Sequence, residues 1–330
     1  MAQSSDEIIK REIVDYIGPI IGPYSARVFS EGSNDDQRLF EEGGLTFTYQ
    51  GQDYGSCDVV YVQERNGRDE AVIAIEGTDC LNRGSSGNAQ YQRFHHALGA
   101  VKQGIIGIYY LRDGNFNVQP DLYGMAQSIS DFYDTPYLII QDLAVIKKIL
   151  SLMSISKEKL DAFIKSYQAK SNKIFLESFQ KKYKDSIQNF ADKRSTIIFD
   201  EYVIKYSSRN VRNFVDSQLR GGHIAVGEMF LTKSFFPGEK IYYLWPRMTK
   251  DELLDLDSTK STDKEWSLLR NEPNVEIKTL DDLINIPADL KDFFYNHRND
   301  PLKLELKRKW NESAKKLQTL LKNKTITLNI

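Results

Sequence analysis

Within residues 56–80, SCDVVYVQERNGRDEAVIAIEGTDC, Asp58 heads one apolar run and Glu76 closes the next. Each stands where a buried strand would ordinarily carry an apolar side chain. Asn66–Gly67, between the runs, is the strongest short signal for a hairpin turn, so the two acids can converge from adjacent strands. Carboxylates placed this way suit a hard cation such as Mg²⁺, which takes one or two of them and fills its remaining positions with water and phosphate oxygens. An ion so held activates a water and neutralises charge on a phosphodiester under attack. The same residues have a second reading, in which Asp58 caps a turn and Glu76 merely ends a strand. On the pair alone, that second case is the commoner one.

The elements that must position the pair are legible around it. Residues 1–17 predict an amphipathic helix with Ile8, Ile9, Ile13 and Ile17 near one face. Residues 31–43 read as a short polar helix ending at Gly43–Gly44, followed by a strand at 45–50 and a turn at 51–55. Strands at 57–62 and 70–77 follow, the second with a nearly continuous apolar run, Val72–Ile75, as expected when both faces are covered. A helix from Ser86 is indicated by Tyr91, Phe94, Leu98 and Val101, and strands by 105–112 and 136–142. From residue 143 the texture changes. Residues 157–194 carry Phe175, Phe179 and Tyr183 at helical spacing, 223–231 and 240–246 read as strands, and 301–330 as a basic helix.

A helix, a three-strand meander with Asp on the second strand and Glu closing the third, then a helix and a further strand, resembles the core of the PD-(D/E)XK nucleases. Type II restriction endonucleases are the largest set with this plain arrangement. The resemblance covers residues 31–142 and implies an α/β fold, with a mixed central sheet of restriction-endonuclease-like type flanked by helices. It implies a nuclease core at 1–145 and a mainly helical region at 146–330 for DNA recognition and dimerisation. Asp58 and Glu76 would be the catalytic acids and the Mg²⁺ ligands, and Glu41 or Glu42 would match the extra acid of some members. The family's lysine lies two positions past the second acid, and here that position is Thr78. Its hydroxyl can hydrogen-bond the attacking water but supplies no charge, so either Arg83 or Lys102 replaces it, or the metal does most of the work, or the fold is catalytically dead.

The implied partner is double-stranded DNA, cut by a homodimer whose two-fold symmetry matches a short palindrome. Past Glu76, the side chains of Asn82, Arg83, Asn88, Gln90 and Arg93 form a set able to read bases, since Asn and Gln pair with adenine and Arg with guanine. Alone, the same stretch reads as a solvated loop and a helix start. Adjacent His95 and His96 point different ways on a helix and are not a chelating pair. Two alternatives stand beside the restriction enzyme: a non-catalytic DNA-binding protein that kept the fold, and a repair-type nuclease of the same fold.

Composition narrows the field further. With 41% hydrophobic and 27% charged residues the chain has the balance of a globular protein. No apolar run approaches the roughly 20 residues that span a bilayer. Two cysteines, Cys57 and Cys80, exclude a Cys-rich zinc site or disulfide framework and suit a reducing cytoplasm. The net charge of −2 excludes a chain coated in basic residues, though a local basic face suffices for phosphate contacts. No glycine-rich phosphate loop of the Walker type occurs.

Overall fold

The computed structural model describes residues 5–29, 46–49, 52–79, 90, 93–112, 118–182, 196–198, 203–206, 229, 232–233, 238–245 and 272–279. The chain divides into two compact units, Met1–Phe175 and Leu176–Ile330. The first is a mixed α/β unit built on a six-stranded sheet.

Helix α1 (Ser5–Ile17) opens the chain. Ile9, Ile13 and Ile17 recur every fourth residue and are buried, while Ile8, expected on the same face, is exposed. Strands β1 (Ile20–Ile21) and β2 (Tyr24–Val28) follow as a tight hairpin. β3 (Thr46–Tyr49) and β4 (Gln52–Ser56) form a separate two-stranded sheet, so the predicted turn over 51–55 is largely strand. β5 (Val59–Arg65) and β6 (Arg68–Asp79) are joined at Asn66–Gly67. Both turn residues have positive φ, 54° and 75°, as the predicted two-residue turn requires.

The first strand of the meander is therefore not 45–50. β2 pairs antiparallel with β5, and β5 with β6, giving the sheet order β1-β2-β5-β6-β7-β8. The YSARV strand is masked in the sequence by the Gly and Pro residues before it, which read as a turn. Beyond β6 the sheet turns parallel. α2 (Leu98–Lys102) leads into β7 (Ile106–Arg112), and α3 (Pro120–Tyr133) into β8 (Tyr137–Ile140). β8 ends earlier than the predicted 136–142 strand because Asp142 serves as a cap. Its carboxylate accepts from the Ala144 N–H at 2.8 Å and starts α4 (Leu143–Met153). α5 (Lys157–Lys182) follows.

Alternation along the strands sends Val59, Tyr61, Ile73, Ile75, Ile106, Ile108, Tyr110, Leu138 and Ile140 to one face. There they pack with α1, with Ile146, Ile149 and Leu150 of α4, and with Ile164 of α5. The opposite face receives Ala74, Glu76, Thr78, Tyr109 and Tyr137, of which Tyr109 and Tyr137 meet Phe94 edge-on.

In the second unit, β9 (Thr196–Ile198), β10 (Val203–Tyr206), β11 (Ile241–Trp245) and β12 (Val275–Thr279) form a four-stranded sheet in the order β12-β11-β10-β9. β10, β11 and β12 are parallel and β9 is antiparallel to β10. The strand expected over 223–231 is not seen at Met229, which is helical. The helices expected at 31–43 and 301–330 lie outside the described residues. Among the described residues, no helix is long and apolar enough to cross a membrane.

Candidate active site

β6 is 12 residues long and overshoots its neighbour. β5 pairs with it only as far as Val59↔Ile75, whereas β7 accompanies it to Asp79↔Arg112. The Glu76-Gly77-Thr78 segment is therefore paired on the β7 side and open on the β5 side. Asp58, in the bend just before β5, fills that opening, and its Oδ2 accepts the Gly77 N–H at 2.9 Å. The side chain thus continues the ladder where the backbone has stopped, and Asp58 is only 4% exposed.

Glu76 is 1% exposed and points to the face opposite α1. Two basic groups of the turn before α2 meet its Oε1: Arg93 Nη1 at 3.4 Å and His96 Nδ1 at 3.2 Å. The turn itself holds these two together, because the His96 N–H donates to the Arg93 carbonyl at 3.0 Å. A further cation attends Asp58 from α1, with Lys10 Nζ 3.8 Å from Oδ1. Asp58 and Glu76 thus sit among Lys10, Arg93 and His96.

The electrostatics follow from burial. Asp58 is pushed up to about 7, first by desolvation and then by the Glu76 charge; the Gly77 N–H, Arg93 and Lys10 pull the other way. For His96, burial favours the neutral ring, but the Glu76 carboxylate outweighs it and the net shift is upward. Burial, with Glu76 and Asp58 nearby, pushes the Cys57 thiol well up, so this buried free cysteine is a poor nucleophile.

The fates of the sequence-predicted residues differ. Asp58, Glu76 and Thr78 come together at the open end of β6. Arg93, expected to read bases, engages Glu76 instead. Gln90 is fully buried, and its side-chain oxygen accepts from the Gln119 N–H at 2.7 Å just before α3. It faces the interior and presents no edge to a base. Asn82, Arg83, Asn88, Glu41 and Glu42 lie outside the described residues. Lys102, one candidate for the missing lysine, donates to the Tyr54 hydroxyl at 2.5 Å and packs over the Tyr54 and Tyr133 rings. It joins α2 to the β3–β4 hairpin.

Sequence reasoning missed Lys10 and the attachment of His96 to Glu76. The three-residue spacing of Arg93 and His96 was a signal for a shared side of a turn. Lys10 carried none, since its partner lies 48 residues away.

The donor set decides what ion could be held. Among the described residues, no group of three or more His, Cys, Asp or Glu side chains is arranged around a metal position. Two coupled carboxylates fit Mg²⁺, which keeps waters and substrate oxygens in its shell; a cation beside them would offset the burial and the Glu76 repulsion that together raise Asp58. Compared with protein-family models, curated proteins and solved structures, the chain matches none.

Proposed function

We propose that the chain is a Mg²⁺-dependent DNA endonuclease of the restriction-endonuclease-like class, and specifically a type II enzyme that cuts both strands at a defined site. The observation that carries this reading is the pairing of one topology with one site. An antiparallel meander, β2-β5-β6, passes into parallel β7, and two buried, electrostatically coupled carboxylates stand where β6 outruns β5. Two buried carboxylates at one end of a sheet are costly, because the Glu76 charge adds to burial in opposing ionisation of Asp58.

In this reading Asp58 and Glu76 hold the ion. When bound, Mg²⁺ supplies Lewis acidity and a water acidic enough to attack phosphorus. The Gly77 N–H fixes the Asp58 carboxylate, so that Oδ2 is committed to the backbone and Oδ1, 3.8 Å from Lys10 Nζ, would be the oxygen offered to the ion. Arg93 holds positive charge at the site, where a phosphate group would be drawn. The C-terminal unit would supply DNA and dimer contacts.

The test is digestion of a long DNA of mixed sequence, with and without Mg²⁺, by the wild type and by Asp58→Ala and Glu76→Ala. Discrete fragments that require Mg²⁺ and disappear in both variants are expected. Intact DNA under every condition would overturn the nuclease. The second reading, a non-catalytic DNA-binding protein, is favoured by Thr78 and by the two basic groups already seated on Glu76. A retarded band in a gel-shift assay with uncut DNA would support it.

A further inference from the structure

We infer that α1 supplies the cation of the acid pair: Lys10, not a strand residue beside Glu76, donates to the attacking water or the scissile phosphate. This rests on the nuclease reading above and names a residue it lacks.

Hydrolysis at two carboxylates is accelerated by a positive hydrogen-bond donor within reach of the reacting oxygens. Thr78 offers only a neutral hydroxyl. Of the described basic groups around the pair, Arg93 and His96 are both drawn to Glu76 Oε1, and Lys102 is held by Tyr54. Lys10 is the one that approaches Asp58 from the helix side.

The way it is held differs from the structural ion pairs of the same chain. Arg112 closes on Glu12 at 2.5 Å and Lys233 on Glu272 at 2.6 Å, both within hydrogen-bond distance. Lys10 stops at 3.8 Å from Asp58 Oδ1, close enough to act as a charge and too far to donate. The ammonium is therefore poised beside the carboxylate with its N–H groups able to serve a third atom. The ammonium itself lies over the face of the Phe29 ring, 4.9 Å from its centroid, which holds it in place without taking up a hydrogen bond. The side chain is only 12% exposed, so its charge acts through little water.

The seat of α1 explains why the helix can reach the site. A Cβ on Gly77 would lie 2.3 Å from Ile9 Cγ2 and 3.5 Å from Asp58 Oδ2. With glycine at 77, Ile9 settles directly onto β6, and Lys10, the next residue, arrives at Asp58. The same glycine thus donates the N–H that holds Asp58 and leaves the gap that docks the lysine-bearing helix.

The experiment compares wild type, Lys10→Gln and Lys10→Arg in three measurements: single-turnover DNA cleavage, Mg²⁺ binding by calorimetry and thermal unfolding. Lys10→Gln is expected to slow cleavage about 100-fold or more, the usual contribution of a positioned proton-transfer or charge-stabilising group. It should stay folded at the assay temperature, with a melting temperature lowered by the loss of a charge beside buried Asp58, and should bind Mg²⁺ at least as tightly, because a competing positive charge is gone. Lys10→Arg should recover part of the rate. Wild-type cleavage by Lys10→Gln, loss of its Mg²⁺ binding, or an arginine variant no faster than the glutamine one would each overturn the inference and leave the nuclease standing. A wild type that binds Mg²⁺ but cuts nothing would overturn both.

Discussion

The two faces of the six-stranded sheet are built from different materials. The α1 face is mainly aliphatic, with isoleucines from α1, β6, β7, β8 and α4 meeting in one cluster around Tyr24, Tyr61 and Tyr110. The other face mixes Tyr109, Tyr137 and Phe94 with the buried polar groups Glu76, Thr78 and His95. Tyr137 shows how such a face is satisfied, since its ring packs edge-on to Phe94 while its hydroxyl donates to the Phe94 carbonyl. That layer is stabilised chiefly by buried area, and two of its strand tyrosines send their hydroxyls outward, Tyr61 to the Gly18 carbonyl and Tyr110 to Glu12. The mixed face needs a partner for every polar atom, and in return can hold charge in a low-dielectric place. The acid pair sits at the seam, with Asp58 at the edge of the sheet, Glu76 on the polar face, and Gly77 between them.

This contrast can be broken first on the aliphatic side. Ile13→Ala removes a fully buried side chain of α1 and should cost about 2–5 kcal/mol in urea unfolding. A loss below about 1 kcal/mol, well under that range, would mean that α1 is loosely docked and could not position Lys10.

Gly77→Ala tests the seam itself. The added methyl meets a stiff β-branched residue, Ile9, in a packed core, and overpacking of this kind costs about 1–3 kcal/mol. Combining it with Ile9→Val should return part of that loss, since the two substitutions share one contact. Strict additivity would show that the close approach of α1 to β6 is not what Gly77 permits.

A third test concerns pH and sharpens the electrostatic half of the comparison. The folded-state value of Asp58, about 7, lies above its ordinary 3.8, so folding favours the protonated acid. Its contribution to stability is complete below the ordinary value and is lost as pH rises through about 7. His96, also shifted upward, acts in the same sense. In chelator-containing buffer, melting temperature should therefore decline from about pH 5 to about pH 8, and Asp58→Asn should flatten the decline. An unchanged slope in that variant would place the titrating group elsewhere.

Much of the site was readable from local chemistry. Short apolar runs bounded by turn residues located β5, β6, β7 and β8 to within a few residues, and Asn66–Gly67 demanded its hairpin. Two carboxylates at strand ends were conspicuous because apolar residues surround them. The leading strand of the meander was less readable: YSARV is short and follows Gly-Pro, whereas LTFTYQ has the stronger strand composition and yet forms a hairpin of its own. α3 is faint in the sequence because Gly124 and a polar face weaken its apolar periodicity, although Pro120 marks its first turn.

What the sequence determined by itself is therefore the set of local elements and the pair of acids, because propensity, alternation and turn chemistry act over a few residues. Which strand completes the meander, and which cation meets which acid, was settled only by tertiary structure. Lys10 reaches Asp58 across 48 positions, and Arg93 turns from solvent to Glu76, because burying a carboxylate makes a cation necessary and packing decides which one can arrive.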